Sequence, residues 1–251
     1  MRNITGKSCI LTGASRGIGK TLAERLAAEG VLVTAVARDA GLLDALCSEN
    51  EGITAHACDV TDEAGVKSLT AGHIERHGGI DILVNNAGIG SFGPIEEVAY
   101  QDFLKTMEVN AGGTYLFMQA ALPTMKKQGD GDIINISSVV GLKGYPNQAA
   151  YGASKHAMMG LTRSIATEAD PHGVRVRAVC PGGVNTDLIR VARPDLDPST
   201  LIQTEDVAEA VRLFDLAVSI TPGNLEAEAG FLRAQTLDSV LSLMEQGKIL
   251  R

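Results

Sequence analysis

The sequence predicts an α/β protein in a single domain, a doubly wound parallel sheet with helices on both faces. Three observations carry that prediction. Short β-branched runs, almost uninterruptedly apolar, alternate with longer segments whose apolar residues recur at helical spacing. This is the pattern of strands buried on both faces and joined by helical crossovers. No Pro- or Ser-rich linker divides the 251 residues, a length that one large α/β domain can use. Glycine is in excess, at 28 residues where about 7% is usual, and 25 of the 28 precede Leu188.

The expected strands are Ser8–Thr12, Val31–Ala37, Ile53–Cys58, Ile80–Asn85, Asp132–Ser137 and Val174–Cys180. Between them, Lys20–Glu29 places Leu22 and Leu26 on one helical face, and Phe103–Met118 and Gly152–Ala169 read as further helices. After Asp187 the chain turns glycine-poor and mostly helical, with apolar residues at helical spacing over Glu205–Val218 and Ala234–Gln246. Open α/β sheets bind ligands beyond the carboxyl ends of their strands, so function is sought in the segments that follow each one.

Composition narrows the function. A 45% hydrophobic share supports a real core, and 22 Lys+Arg against 30 Asp+Glu give a net charge of −8. With no basic block, neither nucleic acid nor an anionic membrane is an expected partner. The first apolar stretch is broken at Thr12-Gly13, too soon for a signal-peptide core, and there is no 18-residue apolar run. Cys9, Cys47, Cys58 and Cys180 form no CxxC pair and suit reduced thiols. The expectation is a cytoplasmic protein. His73 and His77 stand i, i+4 in a polar helix with no third ligand, so they are read as a solvated face and no metal is expected. His156 is read as structural.

The first strand runs into Thr12-Gly13-Ala14-Ser15-Arg16-Gly17-Ile18-Gly19. Gly13 permits a tight turn, while Gly17 and Gly19 let backbone approach a pyrophosphate and let the helix pack on the strand. The helix N-terminus adds N–H donors and partial positive charge. Strand two ends at Ala37 with Arg38 next, so a cation stands where a free ribose would meet a carboxylate. That favours a 2′-phosphate, with Arg16 as a second cation. Asp39 becomes the ribose acid instead if the strand ends two residues later. Tyr151 and Lys155, i and i+4, share a helix face, and an ammonium near a phenol lowers its pKa.

In combination these residues resemble the short-chain dehydrogenase/reductase superfamily. The resemblance rests on Thr12-Gly13-x-x-x-Gly17-x-Gly19, Asp59-Val60, Asn85-Asn86-Ala87-Gly88, Asn110, Ser138, Tyr151-x-x-x-Lys155 and Pro181-Gly182, in family order over about residues 5–187. It implies a Rossmann-type fold and an NADP(H)-dependent oxidoreductase, with NAD(H) second, that interconverts a ketone or 3-oxoacyl group and a secondary alcohol. Tyr151 would exchange the proton, Lys155 would lower its pKa and bind the nicotinamide ribose, Ser138 would polarise the carbonyl, and Asn110 would hold a water. Gly13, Ser15, Arg16, Gly17, Ile18, Gly19, Arg38, Asp59, Val60, Asn86, Ala87, Gly88, Tyr151, Lys155, Pro181, Gly182, Val184 and Thr186 would bind cofactor. Residues 187–210 would form a substrate lid.

Among relatives the likeness reaches 3-oxoacyl-carrier-protein reductases, for which Arg190, Arg193 and Lys126-Lys127 are the available basic hints. A homodimer or homotetramer through the Phe103–Met118 and Gly152–Ala169 helices is expected. The family's last strand is degraded over Ile220–Phe231, and residues 232–251 make an atypical tail. A redox sensor that binds a dinucleotide without turnover is the alternative reading.

Overall fold

The computed structural model describes residues 3–216. The expectations for the last strand, the Ala234–Gln246 helix and the tail lie outside the described residues. Among the described residues six strands form one parallel sheet: β1 Ser8–Thr12, β2 Leu32–Ala37, β3 Ile53–Ala57, β4 Ile82–Asn85, β5 Gly131–Ile136 and β6 Val174–Val179. Their order is β3-β2-β1-β4-β5-β6, so the chain reverses direction across the sheet between β1 and β4. A doubly wound sheet opens its ligand crevice at such a switch point.

The helices are α1 Gly17–Ala28, α2 Ala40–Glu49, α3 Glu63–His77, α4 Tyr100–Met107, α5 Gly113–Gln128, α6 Ala149–Ala169, α7 Asp187–Ala192 and α8 Thr204–Leu216. Leu22, Leu26, Leu43 and Val207 pack with Leu11 and Val33 on one side of the sheet. Leu69, Phe117, Met125 and Ala169 pack with Ile10, Leu83 and Ile133 on the other. Burial on both faces is why β1, β2, β4 and β5 read as continuous apolar runs. β3 departs from that expectation: only Ile53 is buried in it, because it is an edge strand.

Two expected boundaries moved for identifiable reasons. β4 starts at Ile82 rather than Ile80 because Gln128 Oε1 accepts the Ile80 N–H at 2.9 Å, outside the ladder. The Phe103–Met118 stretch is not one helix. Glu108–Gly112 forms a π-helical turn between α4 and α5, a local widening that often marks functional sites.

The register (Thr12 with Val36, Leu11 with Val84, Asn85 with Asn135, Ile136 with Val179) brings the carboxyl ends of the central strands to one edge. The segments that follow them enclose the site.

Candidate active site

The turn after β1 is fixed from across the switch point. Gly13 has φ +67°, and a Cβ there would lie 2.8 Å from Ala87 Cα, so only glycine suits both the conformation and the space. Asn86 Nδ2 donates to the Thr12 and Gly13 carbonyls at 3.0 and 3.1 Å. Thr12 Oγ1 accepts the Asn86 and Ala87 N–H groups at 3.0 Å each. Gly19 does not reach the cavity. Its role is approach, since a Cβ there would stand 2.1 Å from the Gly13 carbonyl oxygen. Arg16, the residue before α1, is extended and supplies no side-chain cap, which leaves first-turn N–H groups for an anion.

This turn opens into a cavity of about 600 Å³ that also receives Ser15, Arg38, Asp59 and Val60. Asp39, the competing ribose acid, lines the same cavity and also caps α2, with Oδ1 accepting the Leu42 N–H at 3.1 Å. Arg38 is 67% exposed, and its Nη1 lies 3.9 Å from Asp59 Oδ2. Asp59 Oδ1 accepts the Thr61 N–H and hydroxyl at 3.0 and 2.8 Å. The Thr61 N–H, more than the nearby cations, holds this carboxyl below its ordinary range. The residues fit a dinucleotide: uncapped helix amides and two guanidinium groups for phosphates, with Asp59 and Val60 lining the same cavity.

A second cavity, of about 590 Å³, shares Ile18, Asn86, Gly88 and Thr186 with the first. It gathers Ser138, Tyr151, Lys155, Pro181, Gly182 and Val184. Ser138 caps a short turn after β5: its Oγ accepts the Val140 N–H and donates to the Pro181 carbonyl. Tyr151 is 8% exposed and Lys155 3%. Lys155 Nζ donates to the Ile136 carbonyl at 2.7 Å and stands 5.7 Å from the Tyr151 ring centroid.

The pKa relationship differs from the expectation. Burial pushes the Tyr151 phenol up to about 12, with a hydrogen bond from Ser138 acting the other way. The same burial brings Lys155 down to about 8, opposed by the Cys180 thiol. At these positions desolvation dominates both groups.

Asn110 sits in the π turn and is fully buried. Its Oδ1 accepts the Ile89 N–H, and its Nδ2 donates to the Ile89 carbonyl and Ser154 Oγ, each at 2.8 Å. Ser154 Oγ in turn donates to the Tyr151 carbonyl. Both amide protons are therefore engaged, and the side chain braces the post-β4 loop against α6.

Other expectations needed correction. Lys126 and Lys127 lie at the C-terminal end of α5, beside the start of β4 and away from the cleft. Arg190 pairs with Asp187, and Arg193 pairs doubly with Asp195. His73 is not on a solvated face. It is 4% exposed, its Nδ1 is 2.8 Å from Thr34 Oγ1, and burial lowers its pKa to about 4. Among the described residues no cluster of three or more metal-ligating side chains occurs.

Sequence reasoning missed Phe92, Leu142, Lys143, Tyr145 and Gln148, which complete the second cavity. Their one signal was position, in the loops after β4 and β5. Leu188, Ile189, Ala192 and Leu196 line it from the 187–210 segment.

A family model described as short chain dehydrogenase matches residues 7–197. The levodione reductase of Leifsonia aquatica is 36% identical over 203 residues, covering 77% of this chain and 75% of that one. Among solved structures, a 3-ketoacyl-(acyl-carrier-protein) reductase from Brucella melitensis complexed with NADH superposes with TM-score 0.80 at 32% identity, covering 84% and 91%. ElxO with NADP bound gives 0.76 at 33%, covering 82% and 90%.

Proposed function

This chain belongs to the short chain dehydrogenase family, and from that premise we propose that it interconverts a carbonyl and a secondary alcohol with NADP(H), using Tyr151 as the proton-exchanging group. At the coarser level it is an oxidoreductase of alcohol and ketone substrates whose family binds a nicotinamide dinucleotide. The observation that carries the finer reading is the convergence of Ser138, Tyr151 and Lys155 in a cavity continuous with the anion-binding turn.

When bound, the nicotinamide dinucleotide supplies hydride to the carbonyl carbon or takes it up from the alcohol. The chain's part is orientation and proton traffic. A phenol with a pKa of about 12 is protonated at neutral pH, ready to give its proton to the oxygen of a carbonyl undergoing reduction. Ser138 supplies a second hydrogen-bond donor for that oxygen. Lys155 holds positive charge beneath the phenol and helps restore its proton. In the oxidation direction Tyr151 accepts the proton as phenolate, a form that rising pH favours.

The preference for a 2′-phosphate is supported by Arg38 and Arg16 in the first cavity and by the end of β2 at Ala37, with Arg38 next and Asp39 engaged through Oδ1 in capping α2. One relative named above carries NADH and another NADP, so the arginines bear the argument. Residues 187–210 act as a substrate lid, since Leu188, Ile189 and Leu196 wall the catalytic cavity. Exposed Tyr115 supports assembly of two or four copies through the Phe103–Met118 and Gly152–Ala169 stretches. Four cysteines, none of them in a disulfide, suit a reducing cytoplasm.

The test is oxidation of NADPH and NADH measured side by side over small ketones, cyclic ketones and 3-oxoacyl thioesters, in wild type and Tyr151→Phe. Turnover favouring NADPH and lost in Tyr151→Phe is expected. Turnover that survives the substitution would falsify the proton-transfer role.

A further inference from the structure

The substrate half of the cleft has an apolar body and an unevenly charged rim. Phe92 meets the Tyr151 ring edge-on, with centroids 5.5 Å apart, and Leu142, Ile189, Leu196 and Ile202 line the remaining wall. In a chain of net charge −8, no Asp or Glu among the described residues lines this cavity, yet Lys143, Lys155 and Arg193 do.

The three cations are not equivalent. Lys155 is buried against the Ile136 carbonyl and belongs to the proton machinery. Arg193 is neutralised, giving Nε and Nη2 to the two oxygens of Asp195 at 2.8 and 2.7 Å. Lys143 has no carboxylate partner among the described residues. Its Nζ stands 4.9 Å from the Tyr145 ring centroid, and Tyr145 is 37% exposed at the same rim. The aromatic face restrains the ammonium without cancelling its charge.

We infer that the substrate carries an anionic group, a carboxylate or its equivalent, at the end remote from the carbonyl, on an apolar ring or short chain, and that Lys143 is its counter-charge and a specificity-determining residue. The inference rests on the carbonyl-reduction reading of the site. Its logic is a division of labour along the cavity: the reacting oxygen meets Ser138 and Tyr151, the apolar body fills the wall, and the anion stays at the hydrated rim, where pairing avoids the heavy desolvation of a buried ion pair. Holding Lys143 on Tyr145 beforehand reduces the side-chain entropy lost on binding.

The experiment compares kcat/KM for 4-oxocyclohexanecarboxylate and for 4-methylcyclohexanone, one ring with and without the charge, with NADPH and with NADH. Wild type is expected to favour the carboxylate. Lys143→Met is expected to lower the carboxylate-to-methyl ratio about fivefold, the scale of an exposed ion pair, and Lys143→Arg to preserve it. Added salt lowers the wild-type ratio toward that of Lys143→Met. A wild-type ratio at or below one, or an unchanged ratio in Lys143→Met, overturns the anion assignment and leaves carbonyl reduction standing. Turnover of neither ketone by wild type overturns the anion assignment, and carbonyl reduction falls with it only when the wider panel of ketones and 3-oxoacyl thioesters is also left unreduced.

Discussion

Lys155 Nζ donates to the carbonyl of Ile136 at 2.7 Å, so the ammonium on α6 is tied to the last residue of β5, two positions before Ser138. The bond sets the depth at which α6 seats its Tyr151–Lys155 face against the sheet. A lysine so deeply buried titrates near 8, low enough to be seen in activity.

The first prediction concerns that titration. Lys155 loses its proton as pH rises through about 8, so carbonyl reduction is expected to hold below pH 8 and decline above it. Lys155→Met lowers kcat/KM by about two orders of magnitude, the lower range for general acid–base effects, and removes the alkaline limb near 8. The check is a pH profile of both proteins. A limb that persists unchanged in Lys155→Met assigns the titration to another group.

Arg38 is the second test. Replacing it with Ala is expected to raise KM for NADPH about tenfold to a hundredfold, the range of a lost charge-assisted hydrogen bond, with a much smaller effect for NADH. Because Arg38 is largely exposed, the fold should be untouched. Equal losses for the two cofactors would remove it from 2′-phosphate recognition.

Asn147 is the one non-glycine with positive φ among the described residues, at +60°. Its carbonyl accepts the Gly93 N–H at 2.9 Å, tying the loop that carries Phe92 to the loop before Tyr151. Asn147→Gly is expected to be nearly neutral in chemical denaturation. Asn147→Val should cost about 1–3 kcal/mol, because a β-branched residue resists this region. Equal midpoints for the two variants would mean that backbone conformation is not what selects asparagine here.

His73 gives a pH dependence of stability. Its folded pKa of about 4 lies below the unfolded value near 6.5, so the unfolded chain binds more protons between those limits. The stabilising contribution is whole above about 6.5 and is lost as pH falls toward 4, amounting to about 3 kcal/mol at most. His73→Leu should flatten this part of a stability-against-pH curve. A slope identical to wild type would trace the acid sensitivity elsewhere.

Much of this was legible from residues alone. Tyr151 and Lys155 were readable because an i, i+4 spacing fixes a shared face whatever the surroundings. The glycine turn was readable because its small residues answer to backbone geometry. What escaped depended on partners distant in sequence. The role of Asp39 as the cap of α2 depends on where β2 ends, which the residues alone left two positions wide. His73 looked solvated because its own helix is polar, whereas Thr34 on β2 buries it. Phe92 and Lys143 sit in loops that carry no periodic signal. The π turn at Asn110 left no mark in the helical pattern, since the apolar residues on either side continue the helix to the eye.

That turn also fixes a length. An α-helical residue advances about 100° around the axis, and the wider turn at Glu108–Gly112 changes the angular offset between α4 and α5. Thr106 on α4 and Phe117, Ala121 and Met125 on α5 are all buried at once, an alignment that holds for one offset only. Gaining or losing a single residue between Tyr100 and Gln128 would swing α5's buried stripe toward water or turn Asn110 away from Ile89. The segment is therefore counted to the residue.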